Sequence, residues 1–337
     1  MQVCPGCKNG LFGQPEGCSV CGGDLRGLPG RDGASLGGMR VGEKYVLAEL
    51  LGEGAMGWVY RAQHRELGRT VVIKLLKAHA TEVDEVTRFE REARAVSRLT
   101  HPHIVSVIDS GITPGGILYI VMEHVPGPTL FDVLLEEPLL PLSRAFGLFQ
   151  QVCAAVEEAH GMRVIHRDLK PENIIVTSLR SGDDFAKVLD FGVASLGDDK
   201  GERVTADGSF IGTPGYIAPE NIAGEPPTER TDVYSLGVIL YQLLAGREPF
   251  DETSVPKLLS LHLAQKPPTL AEAAPDRPLN DALEQVVQRA LAKEPADRFP
   301  SVADLRDAAF AALGQLREIH VECDRCRRPI DPLTGQC

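Results

Sequence analysis

The chain has 337 residues, of which 43% are hydrophobic and 24% charged, so it can form one large domain with a sizeable core and small appendages. Its formal net charge is -12 at pH 7. This acidic balance argues against unspecific binding to nucleic acid or anionic lipid, because both need a basic surface.

The N-terminal sequence MQVCPGCKNG has a cysteine pair where a secretory signal would have an apolar segment. The longest apolar run, at 234–245, is shorter than the about 20 residues that span a bilayer. Seven of the eight cysteines lie in or beside Cys-x-x-Cys pairs, which without a signal peptide indicate metal binding more often than disulfides. We therefore expect a cytoplasmic protein, with no membrane segment in this chain.

Four cysteines near the N-terminus have the spacing C-x2-C-x10-C-x2-C: Cys4, Cys7, Cys18 and Cys21. Four thiolates at this spacing can enclose one tetrahedral, structural Zn²⁺. We predict a zinc-ribbon-like module over residues 1–26, the alternatives being disulfides or a redox Cys-x-x-Cys pair. Residues 27–40, GLPGRDGASLGGMR, are rich in glycine and predict a flexible linker.

Beyond the linker, apolar and polar residues alternate and predict an antiparallel sheet with one helix, after which helical periodicity dominates. The predicted strands are 45–51, 57–64, 70–76, 104–109 and 118–123, and the predicted helices are 84–98, 142–160, 233–244 and 279–291. A β-rich lobe therefore precedes an α-rich lobe, which is an α+β fold class.

A glycine-rich string, LGEGAMGWVY at 51–60, places Gly52, Gly54 and Gly57 in G-x-G-x-x-G register. The string alone is weak evidence, since glycines are common in hairpin turns. A dinucleotide-binding fold would run from a strand into a helix, whereas here both flanks have strand patterns. A glycine hairpin can lie over triphosphate oxygens and offer them backbone N–H groups.

The string VVIK places Lys74 inside an otherwise apolar strand. A buried charge without compensation is costly, so this lysine needs a partner, and Glu92 on the following helix is the candidate. The alternative is that both are ordinary surface charges.

Four further strings follow in order: HRDLKPEN at 166–173, LDFG at 189–192, GTPGYIAPE at 212–220 and TDVYSLGVILYQLLAGREPF at 231–250. Together with the earlier motifs they resemble the protein-kinase signature set, over about 270 residues. The lysine at 170 resembles serine/threonine rather than tyrosine kinases, and the chain is most similar to the bacterial, eukaryotic-like (Hanks-type) members. The resemblance implies a bilobal kinase domain at 41–314, with a small β-rich N-lobe and a larger helical C-lobe.

The resemblance implies that five residues carry phosphoryl transfer, which depends mostly on positioning and electrostatic stabilisation: Lys74, Asp168, Lys170, Asn173 and Asp190. Asp190 and Asn173 would hold Mg²⁺ (or Mn²⁺) ions that bridge the phosphates. Asp168 would orient the substrate hydroxyl and accept its proton, and Lys170 would neutralise the γ-phosphate. Lys74, held by Glu92, would grip the α- and β-phosphates of ATP.

The resemblance also implies an adenine pocket, with Met122 at its back and the backbone of Glu123 and Val125 on the adenine edge. Val72 stands where the family most often has alanine, and it would narrow the adenine slot. The full predicted ATP-binding set is Leu51, Gly52, Glu53, Gly54, Gly57, Val59, Val72, Lys74, Glu92, Met122, Glu123 and Val125.

Other motif residues are predicted to hold the shape of the domain without touching ATP. His166 could be taken for a general base, because histidine is a common acid or base near neutral pH, but in the family the equivalent residue packs and forms hydrogen bonds. Glu220 is expected to pair with Arg298. Asp232 resembles the buried aspartate that braces the catalytic loop.

The resemblance implies that Arg167 receives a phosphate on the activation segment, 190–220, because guanidinium groups pair well with phosphate. The phosphorylation candidates are Thr205, Ser209 and Thr213, of which Thr213 is expected rather to contact Asp168 and Lys170 as part of the substrate platform. Asp207 is hypothesised to supply some negative charge to Arg167 before phosphorylation. Activation by autophosphorylation would involve self-association of the chain.

Near the C-terminus, Cys323, Cys326 and Cys337 repeat the first three positions of the N-terminal pattern. They predict a partial second zinc-ribbon-like module at 315–337. Either the chain is a fragment, with a fourth cysteine three residues beyond Cys337, or His320 is the missing ligand. Cys153, in an apolar helix, is expected to lie in a core.

The sequence thus favours an active kinase in signal transduction that phosphorylates serine or threonine in protein substrates. One alternative is a scaffold with a kinase fold, although scaffolds commonly lose the equivalents of Lys74, Asp168 or Asp190, and all three are kept. A second alternative, nucleic-acid targeting by the zinc modules, is disfavoured by the lack of a basic surface.

Overall fold

The computed structural model describes residues 2–11, 16–26, 36–54, 57–79, 83–191, 214–316, 321–322 and 329–330. The chain forms two compact units. The first contains the described residues up to Thr100 together with Val105–Val125. The second contains His101–Ile104, Pro126–Phe191 and the described residues from 214 onward.

The first unit is built on a six-stranded sheet in the order β3-β4-β5-β6-β8-β7, in which all neighbours are antiparallel. Its strands are β3 (Arg40–Val41), β4 (Tyr45–Gly54), β5 (Gly57–His64), β6 (Thr70–His79), β7 (Val107–Ile112) and β8 (Ile117–Glu123). Successive side chains of a strand point to opposite faces, so the apolar residues of neighbouring strands gather on one face as a core. That core includes Val41, Leu47, Tyr60, Ile73 and Val121.

One helix, α1 (Val83–Val96), accompanies this sheet. Phe89, Ala93 and Val96 recur at helical spacing and are buried. At the N-terminus of the same unit, β1 (Gln2–Val3) and β2 (Gly10–Leu11) form a short antiparallel pair.

The second unit is mainly helical. Its helices are α2 (Leu130–Glu136), α3 (Leu142–Gly161), α4 (Pro219–Ile222), α5 (Glu229–Ala245), α6 (Val255–Ala264), α7 (Leu270–Ala273), α8 (Asp281–Ala290) and α9 (Val302–Leu316). Every residue of α5 from Thr231 to Ala245 is buried, which makes this helix the centre of the unit. An antiparallel pair, β9 (Ile174–Ser178) with β10 (Asp184–Val188), packs against α3.

Two strands of two residues each, β11 (Val321–Glu322) and β12 (Pro329–Ile330), pair near the C-terminus. Among the described residues, no helix combines the length and the apolar character that crossing a bilayer requires.

The predicted order of a β-rich lobe followed by an α-rich lobe is confirmed. One strand was misplaced: the prediction of 104–109 covers Ile104, which makes only an isolated bridge to Val188, and the strand itself is β7, Val107–Ile112. Ile104 is apolar, but it is buried in the second unit and belongs to no strand of the sheet.

The predicted linker differs from the structure at its end. Residues 27–35 lie outside the described residues, but 36–40 do not have the exposure expected of a flexible linker. Leu36 and Met39 are fully buried in the core of the first unit. Gly38, with a φ of 80°, lies in the turn between Leu36 and Met39, in a region of backbone conformation that glycine adopts readily.

Candidate active site and metal centre

A buried carboxylate organises the loop of the HRDLKPEN string. Asp232, on α5, is fully buried and accepts hydrogen bonds from the backbone N–H groups of His166 (2.8 Å) and Arg167 (3.0 Å). It also bonds to the Nε2 atom of His160 at 2.7 Å. A buried carboxylate is tolerated only when it is well hydrogen-bonded, and the two backbone bonds fix the loop to the central helix. The predicted bracing role of Asp232 is confirmed.

His166 has both ring nitrogens engaged. Its Nδ1 accepts from the backbone N–H of Asp168 at 3.3 Å, and its Nε2 lies 2.8 Å from the carbonyl oxygen of Leu189. A neutral ring with the proton on Nε2 satisfies both bonds. The ring also packs edge-on against Phe191, at 4.7 Å between centroids. His166 is fully buried and so placed as a packing and hydrogen-bonding residue, as predicted.

Three polar side chains converge next in the same loop. The Oδ2 atom of Asp168 lies 3.2 Å from Nζ of Lys170 and 3.2 Å from Nδ2 of Asn173. The Nδ2 atom of Asn173 also donates to the backbone carbonyl of Asp168 at 2.7 Å. Because both amide hydrogens are directed at Asp168, the orientation of the Asn173 side chain is fixed, and its oxygen is the atom left to act as a metal ligand.

Asp190 lies beside this loop in space, because the backbone N–H of the preceding residue, Leu189, donates to the carbonyl oxygen of Asn173 at 2.8 Å. Asp190 has a φ of 59°, and Arg167 has a φ of 71°. Non-glycine residues rarely adopt this left-handed conformation, and such strain is commonly found at functional sites. The two strained residues lie on either side of Asp168 and Asn173 in sequence, which marks this segment as the candidate site of the second unit.

Glu220 and Arg298 form a buried ion pair at 2.8 and 2.7 Å, with side-chain exposures of 3% and 0%. Burial alone would raise the pKa of Glu220, but the hydrogen bonds and charge of Arg298 outweigh it and lower the pKa. Thr231 donates a further hydrogen bond to Glu220 at 2.9 Å. The predicted structural pair is confirmed.

In the first unit, Lys74 lies on β6 between Val59 of β5 and Ile120 of β8, and it is only 8% exposed. Glu92 lies half-buried on α1. The placement of Lys74 within the sheet agrees with the sequence pattern, whereas its pairing with Glu92 stays a prediction.

The predicted glycine hairpin joins β4 to β5, with Gly52 paired to Val59 and Gly54 paired to Gly57. At Gly57 a Cβ atom would lie 2.0 Å from the carbonyl oxygen of Leu75, so this position accepts only glycine without rearrangement. Residues 55 and 56, at the tip, lie outside the described residues.

Val72 lies opposite Met122 in the pairing of β6 with β8. At the end of β8, the carboxylate of Glu123 accepts from the backbone N–H of Ser106 at 2.8 Å, and the N–H of Glu123 donates to the carbonyl oxygen of Ser106 at 3.0 Å. These bonds fix the position of the strand end that was predicted to meet adenine.

The family model for the protein kinase domain matches residues 45–310. The chain belongs to the protein kinase family. The chain is 43% identical to the serine/threonine-protein kinase pkn3 of Myxococcus xanthus over 284 residues, covering 83% of this chain and 52% of that relative. It is 41% identical over 280 residues to PkaA of Streptomyces coelicolor, covering 79% of this chain and 49% of the relative. The chain thus spans about half the length of the curated relatives it matches.

A solved structure of the Mycobacterium tuberculosis PknI kinase domain aligns with this chain at a TM-score of 0.61 and 32% identity. The alignment covers 81% of this chain and 98% of that one. The predicted α+β kinase fold class, with a β-rich N-lobe and a helical C-lobe, is therefore confirmed. We call the first unit's sheet with α1 the N-lobe and the second unit the C-lobe.

A second candidate site lies in the first unit, at the N-terminal cysteines. The Sγ atoms of Cys4, Cys7, Cys18 and Cys21 all lie within 4.8 Å of one another. Cys4 and Cys21 are 3.6 Å apart between sulfurs, and Cys7 and Cys18 are 3.5 Å apart. Zinc–sulfur bonds of about 2.3 Å in a tetrahedron place sulfurs about 3.8 Å apart, whereas a disulfide needs about 2.05 Å. The four thiols are free, and their geometry fits a tetrahedral metal.

Two matching turns hold these cysteines. Lys8 N–H donates to the carbonyl oxygen of Cys4 at 2.9 Å, and Gly22 N–H donates to that of Cys18 at 2.8 Å. Lys8 and Gly22, each directly after the second cysteine of its pair, have φ values of 63° and 72°. The sulfur of Cys7 accepts from the amide of Asn9 at 3.3 Å, a hydrogen bond that would stabilise a thiolate ligand.

The sequence interpretation missed His160. It ends the apolar helix α3, and its bond to Asp232 spans 72 residues, so no local pattern marks it. The predicted phosphorylation candidates Thr205, Ser209 and Thr213, together with Asp207, lie outside the described residues. The same holds for His320, Cys323, Cys326 and Cys337. Cys153 is fully buried, as expected, and burial raises the pKa of its thiol.

Proposed function

We propose that the chain is a serine/threonine protein kinase that transfers the γ-phosphate of ATP to serine or threonine hydroxyls of protein substrates. The observation that carries this proposal is the convergence of Lys170 and Asn173 on the carboxylate of Asp168, in a loop anchored to the buried Asp232. The matched relatives named as serine/threonine kinases support it, as does the lysine at position 170.

In this proposal Asp168 orients the substrate hydroxyl and accepts its proton, which requires an acceptor within hydrogen-bond reach. Its 27% side-chain exposure leaves it accessible to a substrate. Lys170, 3.2 Å away, supplies positive charge to the transferred phosphoryl group as negative charge develops there. Lys74, paired with Glu92, holds the α- and β-phosphates.

Asp190 and the fixed amide oxygen of Asn173 are hard oxygen donors of the kind that Mg²⁺ or Mn²⁺ prefers, so the donor set fits the metal. The metal, when bound, neutralises phosphate charge and orients the phosphates. The remaining nucleotide contacts are assigned to the predicted set on β4, β5, β6 and β8, from Leu51 to Val125.

We further propose that Cys4, Cys7, Cys18 and Cys21 bind one structural Zn²⁺ and that residues 1–26 form a zinc-ribbon-like module beside a kinase domain at 41–314. Sulfur separations near those of a tetrahedral site support this assignment. A second, partial module at 315–337 with Cys323, Cys326 and Cys337 is proposed from spacing alone.

Regulation is proposed to follow the family. One copy of the chain would phosphorylate Thr205 or Ser209 of another copy. The new phosphate would form an ion pair with Arg167 and so activate the kinase. We propose a cytoplasmic location and no nucleic-acid partner, the latter on the acidic net charge.

Phosphoamino acid analysis tests the reaction. The chain is incubated with radiolabelled ATP, Mg²⁺ and a generic protein substrate, beside the Asp190→Asn variant. We expect labelled phosphoserine or phosphothreonine with the wild type and a loss of label with the variant. Label on tyrosine alone, or no label under any metal condition, would refute the proposal.

A further inference from the structure

The N-terminal segment that carries the four cysteines, the proposed zinc-ribbon-like module at 1–26, contacts the N-lobe through backbone hydrogen bonds. We call this segment the cysteine module. The N–H of Arg40 donates to the carbonyl oxygen of Lys8 at 2.9 Å, and Asn9 forms a parallel bridge with Arg40. Arg40 belongs to β3, the first strand in the order of the six-stranded sheet. An edge strand has backbone groups without a strand partner, and here the first cysteine turn supplies one. The module therefore extends the sheet at this edge.

Side chains reinforce the contact. Val3 packs against the N-lobe core that contains Leu36 and Met39. Gln2 and Asn9 are only 3% and 8% exposed. A module tethered only by a flexible linker would leave these side chains in water, so the contact belongs to the packing of the lobe.

The same turn holds two of the four cysteines. Lys8 directly follows Cys7 and has the left-handed backbone conformation that is unfavourable for a residue with a Cβ atom. Two backbone bonds stabilise this turn, from Lys8 to Cys4 and from Cys4 to Asn9, both 2.9 Å. A metal on Cys4 and Cys7 would close it into a ring and hold the carbonyl of Lys8 in place for Arg40.

The sheet connects this edge to the glycine hairpin. β3 pairs with β4 through Arg40 with Val46 and Val41 with Tyr45. The N–H of Leu47 also donates to the carbonyl oxygen of Met39 at 3.0 Å. The strand β4 continues to Gly52 and Gly54, so a displaced β3 would loosen the strand that carries half of the hairpin.

We propose that zinc in the N-terminal cluster controls the order of the β3–β4 edge of the N-lobe and, through it, the affinity of the kinase for ATP. The inference rests on the proposed zinc site and kinase activity and adds a regulatory link between them. Removal of zinc from the four thiolates would lower the rate of phosphorylation, although no ATP-binding residue is changed.

Hydrogen exchange on the full 337-residue chain tests the link directly, with zinc content measured by mass spectrometry. Cys7→Ser removes one ligand while Mg²⁺ stays in the buffer. We expect the variant to lose zinc, the amide of Arg40 to exchange at least ~10-fold faster as its bond to Lys8 opens, and the KM for ATP to rise. Unchanged Arg40 exchange in the zinc-free chain would overturn the inference.

A second pair of variants separates metal binding from docking. Val3→Asp keeps all four cysteines but places a charge against the N-lobe core, whereas Val20→Asp places the same charge at a residue of the module that is 44% exposed. We expect both to hold zinc, and only Val3→Asp to show the fast Arg40 exchange and the raised KM. Equal behaviour of the two variants would contradict the proposed contact.

Two outcomes would separate this inference from the proposed zinc site and the proposed kinase activity on which it rests. A wild-type chain without zinc would overturn the zinc site and the inference together. Zinc-dependent Arg40 exchange in a chain that phosphorylates nothing would refute the proposed kinase activity and the effect on ATP, while supporting the control of the sheet edge.

Discussion

The buried pair of Glu220 and Arg298 offers a quantitative test of how the C-lobe is held together. All five N–H groups of the guanidinium are used: two donate to Glu220, and one each to the carbonyl oxygens of Ala292, Arg230 and Lys293, at 2.7 to 2.9 Å. The change Glu220→Gln keeps the size of the side chain but leaves the Arg298 charge buried without a counter-charge.

Removing one partner of a buried pair costs about 3–5 kcal/mol, because the remaining charge is desolvated without compensation. For a unit of about 200 residues, each kcal/mol lowers the melting temperature by about 2–4 °C, so we expect a decrease of roughly 10 °C. Differential scanning calorimetry of the nucleotide-free chain at pH 7.5 measures it.

The matched control is Glu157→Gln, which breaks the ion pair with Arg306 at the surface. The side chain of Glu157 is 46% exposed and that of Arg306 is 25% exposed. Exposed pairs contribute about 0–1 kcal/mol, so this variant should melt within a few degrees of the wild type. If both variants shift the transition equally, or Glu220→Gln costs less than about 1 kcal/mol, the reasoning from buried charge is wrong.

Two further predictions concern the N-lobe hairpin and a buried histidine. Gly57→Ala should destabilise the N-lobe by about 1–3 kcal/mol, because the added Cβ clashes with the backbone of Leu75. Gly54→Ala has open space around the added Cβ and should cost less than about 1 kcal/mol. Urea unfolding of the two variants measures the difference. Burial, and to a smaller extent the charge of Lys293, lowers the pKa of His262 from 6.5 to about 3. Between these two pH values the unfolded chain binds a proton that the folded chain does not bind, so the fold loses stability as the pH falls from about 6.5 toward 3. Between pH 7.5 and 5.0 the wild type should lose about 2 kcal/mol more than His262→Gln, and equal losses would contradict the burial argument.

The sequence anticipated the parts of the fold where a local pattern matches the buried face. β5 begins and ends at the predicted residues, 57 and 64, because its apolar alternation is bounded by a glycine and a turn. Helix α5 begins four residues before the predicted start, where the backbone N–H of Thr228 donates to the Oγ1 atom of Thr231 at 2.9 Å. A capping pair of two threonines is easily missed beside a strong apolar run.

Long-range contacts could not be predicted from spacing alone. Asp168 was predicted to be catalytic from its motif, but the geometry around it depends on Asp232, 64 residues away, which binds the backbone of Arg167. Leu36 and Met39 were assigned to a linker because glycines surround them, although their side chains complete the N-lobe core. Composition describes a segment's neighbours in sequence, whereas burial depends on its neighbours in space.

The central claim is that Asp168 catalyses phosphoryl transfer, and the rate of the Asp168→Asn variant tests it most directly. Asparagine keeps the size of the side chain but removes the charge and the proton acceptor. We expect the phosphorylation rate to fall by about 10²–10⁴-fold with ATP binding and melting temperature unchanged, while the exposed control Asp276→Asn keeps the wild-type rate. An Asp168→Asn variant that phosphorylates protein at a rate close to that of the wild type would contradict the account.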